Sequence, residues 1–196
     1  MNEIFNHMMS LHRRKGADGE RNALYEVMQQ IVLCGLYRGG FFNEAAFYGG
    51  TCLRIFYGLK RYSEDMDFSL LTKNPDFSLE KYFPAIIEEA RLLGRDIVIT
   101  KKDKKNFSRV ESAFLKDNTD VYNLTFATDK TLKIKIEVDI DPPLGFKTEQ
   151  KLLMLPFSFN TRCMVPSDLY AGKMHALVFR QWKNRIKGRD WYDFEW

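Results

Sequence analysis

Residues 47–71 read FYGGTCLRIFYGLKRYSEDMDFSLL, and this stretch decides the fold. It divides into a small-residue loop, a short helix, a basic turn and a strand. Gly49, Gly50 and Thr51 form the loop, where backbone can approach a ligand closely. The pattern predicts a helix over residues 51–57, stopped by Gly58. A helix entered from such a loop aims N–H groups and the positive end of its dipole at whatever precedes it, which suits a phosphate. Beyond the turn, side chains alternate along the strand Asp65-Met66-Asp67-Phe68-Ser69-Leu70. Asp65 and Asp67 share one face with Ser69 beyond them, and Met66, Phe68 and Leu70 share the other. If the apolar face enters a core, both carboxylates point into one cleft. Like charges that close repel unless a cation lies between them. A hard divalent ion such as Mg²⁺, which takes few protein carboxylates plus substrate phosphate oxygens, fits best. The alternative is an edge strand with solvated acids, which explains neither the glycines nor the basic turn.

The 196 residues suffice for one domain with a substantial core. Hydrophobic residues make up 45% and charged residues 29%, an ordinary globular composition. A net charge of +4 is compatible with a polyanionic partner without requiring one. Cys34, Cys52 and Cys163 are scattered and odd in number, which implies neither a disulfide frame nor a zinc knuckle. No run is long and apolar enough to span a bilayer, and residues 1–16 lack the apolar core of a secretory signal, so a cytoplasmic location is expected.

Residues 1–20 read as mixed and polar, with His12, Arg13, Arg14 and Lys15 at a solvated helix end. Leu24, Val27, Met28 and Ile31 recur at helical spacing over residues 21–38, ended by Gly39 and Gly40. A second amphipathic helix is expected over 78–93, with Tyr82, Ile86, Ile87 and Ala90 on one stripe. A short strand follows at 96–100, then Lys101, Lys102, Lys104 and Lys105, read as a solvated edge rather than an RNA contact. Residues 121–127 and 132–140 predict a hairpin turning at Thr128-Asp129-Lys130. Its second strand puts Ile134, Ile136, Val138 and Ile140 on one face and Lys135, Glu137 and Asp139 on the other. Residues 156–166 read as irregular. Ser167 is expected to cap a helix carrying Leu169, Lys173, Ala176, Leu177 and Arg180 on one stripe. On pattern alone Lys173 would snorkel outward.

The run of Gly-Gly-Thr, Arg61, Ser63, Asp65 and Asp67 resembles the first motif of the polymerase-β-like nucleotidyltransferases, and most closely the AbiEii/AbiGii toxin family. Lys173, Ala176 and Arg180, followed by Arg189-Asp190-Trp191-Tyr192-Asp193, resemble that family's later motifs in order and spacing. The resemblance implies an α+β fold: a polymerase-β-like core of small mixed sheet and flanking helices over residues 1–150, and a C-terminal helical part over 151–196 that completes the cleft. It also implies a third carboxylate from a neighbouring strand, Asp139 or Glu137, with Asp139 slightly favoured. Lys173 would then face the cleft, and one of Asp190 and Asp193 would act in the reaction, the other candidate role for Asp193 being structural.

The implied activity is Mg²⁺-dependent transfer of a nucleotide from a nucleoside triphosphate to an acceptor, by analogy an RNA end such as tRNA. Asp65, Asp67 and Asp139 would hold the metal. Gly49, Gly50, Thr51, Arg61 and Ser63 would bind the substrate, and Lys173 would neutralise the triphosphate. A cognate antitoxin is the implied partner. Fold analogy does not fix a substrate. A small molecule or protein acceptor, a non-catalytic nucleotide-binding module, and a nuclease are the competing readings. Family members usually continue with further helices beyond the aspartate motif, where this chain stops at Trp196.

Overall fold

The computed structural model describes residues 2–13, 18–101, 119–126, 132–179 and 188–196. Seven strands form one mixed sheet: β1 (Ala45–Tyr48), β2 (Asp65–Leu70), β3 (Ile97–Lys101), β4 (Thr119–Phe126), β5 (Leu132–Asp139), β6 (Thr148–Leu153) and β7 (Phe159–Met164). Their order is β3-β4-β5-β2-β1-β7-β6. The β2–β5 and β1–β7 pairs are parallel and the other neighbours antiparallel. Among the described residues there are six α-helices: α1 (Glu3–His12), α2 (Gly19–Arg38), α3 (Gly49–Tyr57), α4 (Phe83–Leu92), α5 (Pro166–Phe179) and α6 (Gly188–Glu195).

The strand alternation read from sequence holds. Met66, Phe68 and Leu70 on β2 are buried, as are Ile134, Ile136 and Val138 on β5. Phe68 faces its cross-strand partner Phe47, ring stacked at 4.9 Å, and meets Phe41 edge-on at 5.0 Å. Such aromatic pairs add to the burial of large apolar surface. Helix α2 has no single apolar stripe because it is enclosed nearly all round, with fourteen of its twenty residues buried against α1, α4 and the sheet. The carboxylate-bearing faces of β2 and β5 lie opposite this core.

Several expectations are corrected. Residues 3–12 form a capped helix that buries Phe5 and Met8, with Asn2 accepting from the Ile4 and Phe5 N–H groups. His12 lies against Glu26 at 3.6 Å and Gln30 at 3.0 Å instead of standing free in solvent. The helix expected over 78–93 is split. A 3₁₀ turn at Leu79–Tyr82 precedes α4, because Pro84 in the first turn of α4 has no N–H to continue the ladder. Ile87 is exposed, while Tyr82, Ile86 and Ala90 are buried.

Helix α3 begins two residues early, at Gly49, and ends at Gly58 with φ +83°. Helix α5 begins at Pro166, one residue before the expected cap at Ser167, since proline at a first helical position forgoes no hydrogen bond. Residues 148–164 form the β6–β7 hairpin at the sheet edge, so the boundary expected at residue 150 falls inside β6. The Tyr57 hydroxyl fixes this hairpin to the end of α3, donating to Glu149 Oε1 at 2.7 Å with the Met164 carbonyl as a second acceptor in reach at 3.1 Å. Arg14, Lys15, Lys102, Lys104, Lys105, Thr128, Asp129, Lys130 and Arg180 lie outside the described residues. Among the described residues the three cysteines are free and buried, and no helix is long and apolar enough to cross a membrane.

Candidate active site

The site begins where β1 turns into α3. Tyr48, the last residue of β1, lies opposite Asp67 on β2. This register sets the Asp67 carboxylate over Gly49, whose φ of +80° few residues other than glycine adopt. A Cβ at Gly49 would also sit 2.9 Å from Asp67 Cγ. At Gly50 a Cβ would meet Arg61 Nη2 at 2.8 Å and Ser63 Oγ at 3.0 Å. The two glycines thus let an acid and a basic turn lie directly against the start of a helix. No side chain caps that N-terminus. Thr51 is fully buried and its hydroxyl donates to the Asp65 carbonyl, so this side chain holds β2 to α3.

Parallel pairing of β2 with β5 brings the third acid into view. Asp65 faces Lys135, Asp67 faces Glu137, and Ser69 faces Asp139. Glu137 is therefore beside the carboxylate pair, and Asp139 is two residues further along, accepting from its own neighbour's N–H at Asp141. The register thus sets Glu137, the second choice in sequence, level with Asp67, and Asp139, the first choice, level with Ser69. Asp67 is pushed up to about 7 by burial and by the charges of Glu137 and Asp65, against the pull of Lys173 and Lys135. Asp65 is raised by burial and Glu137, with Lys135 and Arg189 opposing. Carboxylates crowded until they resist ionisation form the environment that a cation relieves. Glu137 is ion-paired with Lys135, and among the described residues no three acidic, imidazole or thiol groups stand as a ready-made metal cage. Two carboxylates with substrate oxygens remain a fitting donor set for a hard divalent ion.

Across the cleft, Lys173 does not snorkel outward. Its Nζ lies 2.6 Å from Asp193 Oδ2 and 3.6 Å from Asp190 Oδ1. Asp193 also accepts both forks of the Arg61 guanidinium, Nε at 2.5 Å and Nη2 closer still. Burial alone would raise the Asp193 carboxyl, but Arg61 and Lys173 outweigh it and hold it below the usual carboxylate range. Asp193 is therefore a clamp, joining α6 to the basic turn before β2 and to α5. Arg61 flanks Gly50, with its charge already answered by Asp193.

Three supports were invisible in the sequence reading. The half-buried Arg54 guanidinium pairs with Glu26 at 3.2 and 3.0 Å and donates to the Leu59 and Lys60 carbonyls at 2.9 and 3.0 Å. Gln29, 1% exposed, donates to the Ser63 carbonyl at 2.8 Å. Together they fix the turn that carries Arg61 and Ser63. The only available signal was a polar residue inside an otherwise apolar helix, which fits many solvated faces equally well.

Solved structures of nucleotidyltransferases share this fold. MenT4, a nucleotidyltransferase toxin of Mycobacterium tuberculosis, superposes with a TM-score of 0.62 at 21% identity, covering 95% of this chain and 62% of that one. JHP933 of Helicobacter pylori superposes with a TM-score of 0.59 at 20% identity, covering 89% and 65%. The chain thus spans under two thirds of the length of these structures. Residues 31–196 match the model of the family described as nucleotidyl transferase AbiEii toxin, type IV toxin–antitoxin system, and the chain belongs to that family. No curated protein matches by sequence.

Proposed function

We propose that this protein transfers a nucleotidyl group from a nucleoside triphosphate to a hydroxyl of an RNA acceptor such as tRNA, and acts as the toxin of a toxin–antitoxin pair in the cytoplasm. The observation carrying this reading is the convergence of Asp65, Asp67 and Glu137, from two neighbouring strands, beside the uncapped start of α3 and across from Lys173.

Asp65 and Asp67 would hold Mg²⁺, with Glu137 as the third acid in preference to Asp139; the ion would supply charge neutralisation at the phosphate oxygens. The backbone N–H groups at Gly49 and Gly50 receive phosphate oxygens. Lys173 offsets charge on the departing pyrophosphate, held ready by Asp193. In the reaction the acceptor oxygen bonds to the α-phosphorus while the bond to the bridging oxygen of the β-phosphate breaks. The hydroxyl proton passes to a carboxylate of the cluster. Positioning and charge stabilisation carry the rate.

Incubation with each labelled nucleoside triphosphate, Mg²⁺ and total tRNA tests this. Lengthened, labelled RNA is expected, and it should vanish in Asp65→Ala and Asp67→Ala while circular dichroism stays unchanged. RNA shortened without label would instead identify a nuclease. Nucleotide binding without any transfer would leave a binding module. Induced expression should arrest growth only when Asp65 and Asp67 are intact.

A further inference from the structure

Asn22 and Tyr25 of α2, Tyr62, Ser63 and Glu64 of the turn before β2, and Arg189 of α6 line an open cavity of about 260 Å³, with Glu64 and Arg189 at its exposed rim. None of the roles given above needs Asn22, Tyr25, Tyr62 or Glu64. Two of its lining residues, Ser63 and Glu64, lead directly into Asp65 at the start of β2, and the charge of a third, Arg189, acts on the Asp65 carboxylate. Its lining combines two aromatic rings with a side-chain amide, a carboxylate and a guanidinium. The Tyr62 hydroxyl is buried and has no hydrogen-bond partner among the described residues. Arg54 covers one face of the Tyr62 ring at 4.3 Å, so the ring is held in a fixed plane. The turn itself is fixed from beneath by Gln29.

Flat aromatic surfaces flanked by hydrogen-bonding edges suit a planar heterocycle. We propose that this cavity receives a nucleobase bearing an exocyclic amino group. The proposal rests on the transferase reading above. Glu64 is the selective element. An ionised carboxylate only accepts hydrogen bonds, so it rewards the amino groups of adenine, cytosine or guanine, whereas uracil offers it a single N3–H set between two carbonyl oxygens that repel it. Asn22 both donates and accepts, which orients the base without choosing it. The same chemistry belongs to the base of the incoming nucleotide and to the terminal base of the acceptor.

Binding measurements on the full chain distinguish these sources without turnover. One arm titrates ATP, CTP, GTP, UTP and inorganic triphosphate. The other titrates short single-stranded RNAs ending in A, C, G or U, followed by fluorescence anisotropy. In one of the two arms the uracil form should bind about tenfold more weakly than the best amino-bearing form. Glu64→Gln, which can donate as well as accept, should bring the two together, with inorganic triphosphate affinity unchanged. Asn22→Ala should weaken every base in that arm alike. If triphosphate binds but no arm discriminates against uracil, or if Glu64→Gln leaves the discrimination intact, the cavity is not a base site and the transferase reading survives. If the wild-type chain binds neither triphosphate nor any nucleotide, both fall.

Discussion

At the scale of single residues, Gly49 and Asp67 are a matched pair. The positive φ of Gly49 and the proximity of Asp67 both forbid a side chain there. Gly49→Ala should cost roughly 1–3 kcal/mol of stability, read by urea unfolding, and should reduce transfer far more than that loss of fold explains. Asp67 has a pH signature. Its folded-state value of about 7 lies above that of an unfolded aspartate, so the folded chain holds this proton more tightly. Ionisation therefore erodes stability as pH rises from about 4 to 7 and leaves a constant deficit above that. In EDTA, Asp67→Asn should be more stable than wild type at pH 8 by an amount on the order of 1–3 kcal/mol, since each pKa unit is about 1.4 kcal/mol and the neighbouring acids share the strain. The gap should close near pH 4, and Mg²⁺ should close it at pH 8. A gap independent of pH would contradict the crowding of these acids.

At the scale of elements, the clamp at Asp193 decides whether α6 is seated. Asp193→Ala strips the partner from Arg61 and the nearer of two carboxylates from Lys173, and should cost roughly 3–5 kcal/mol by chemical denaturation. The Asp193 carboxyl is held low, so this contribution is complete above about pH 4 and is lost as pH falls further. On β5, Glu137→Gln should abolish labelled transfer and Asp139→Asn should retain most of it. The reverse order would reinstate Asp139 as the third acid. The choice between them was not legible in the sequence, because alternation puts both on one face and only the pairing of β2 with a strand some seventy residues later separates them. The shared face of Asp65 and Asp67 beside the glycine turn was legible because their spacing and the glycines before them are local. The β6–β7 hairpin was missed because an edge strand such as TEQKLL has no clean alternation of apolar and polar residues.

At the scale of the whole molecule, the sheet divides its work by face. One face packs Phe47, Phe68, Ile136 and Val138 into the core, and the other carries the acids. The core is continuous from α1 through α2 and the sheet, which predicts a single cooperative unfolding transition followed identically by fluorescence and circular dichroism. Phe68→Ala should lower its midpoint by removing about 3–5 kcal/mol while leaving the acid pair in register. Helix α6 follows all seven strands in chain order, yet its Asp193 grips the turn before the second of them. A ribosome must therefore finish the entire sheet before the two halves of the cleft can meet. Until then Arg61 and Lys173 lack the shared carboxylate that draws them together, and a polypeptide interrupted before residue 188 leaves that side of the cleft unfastened.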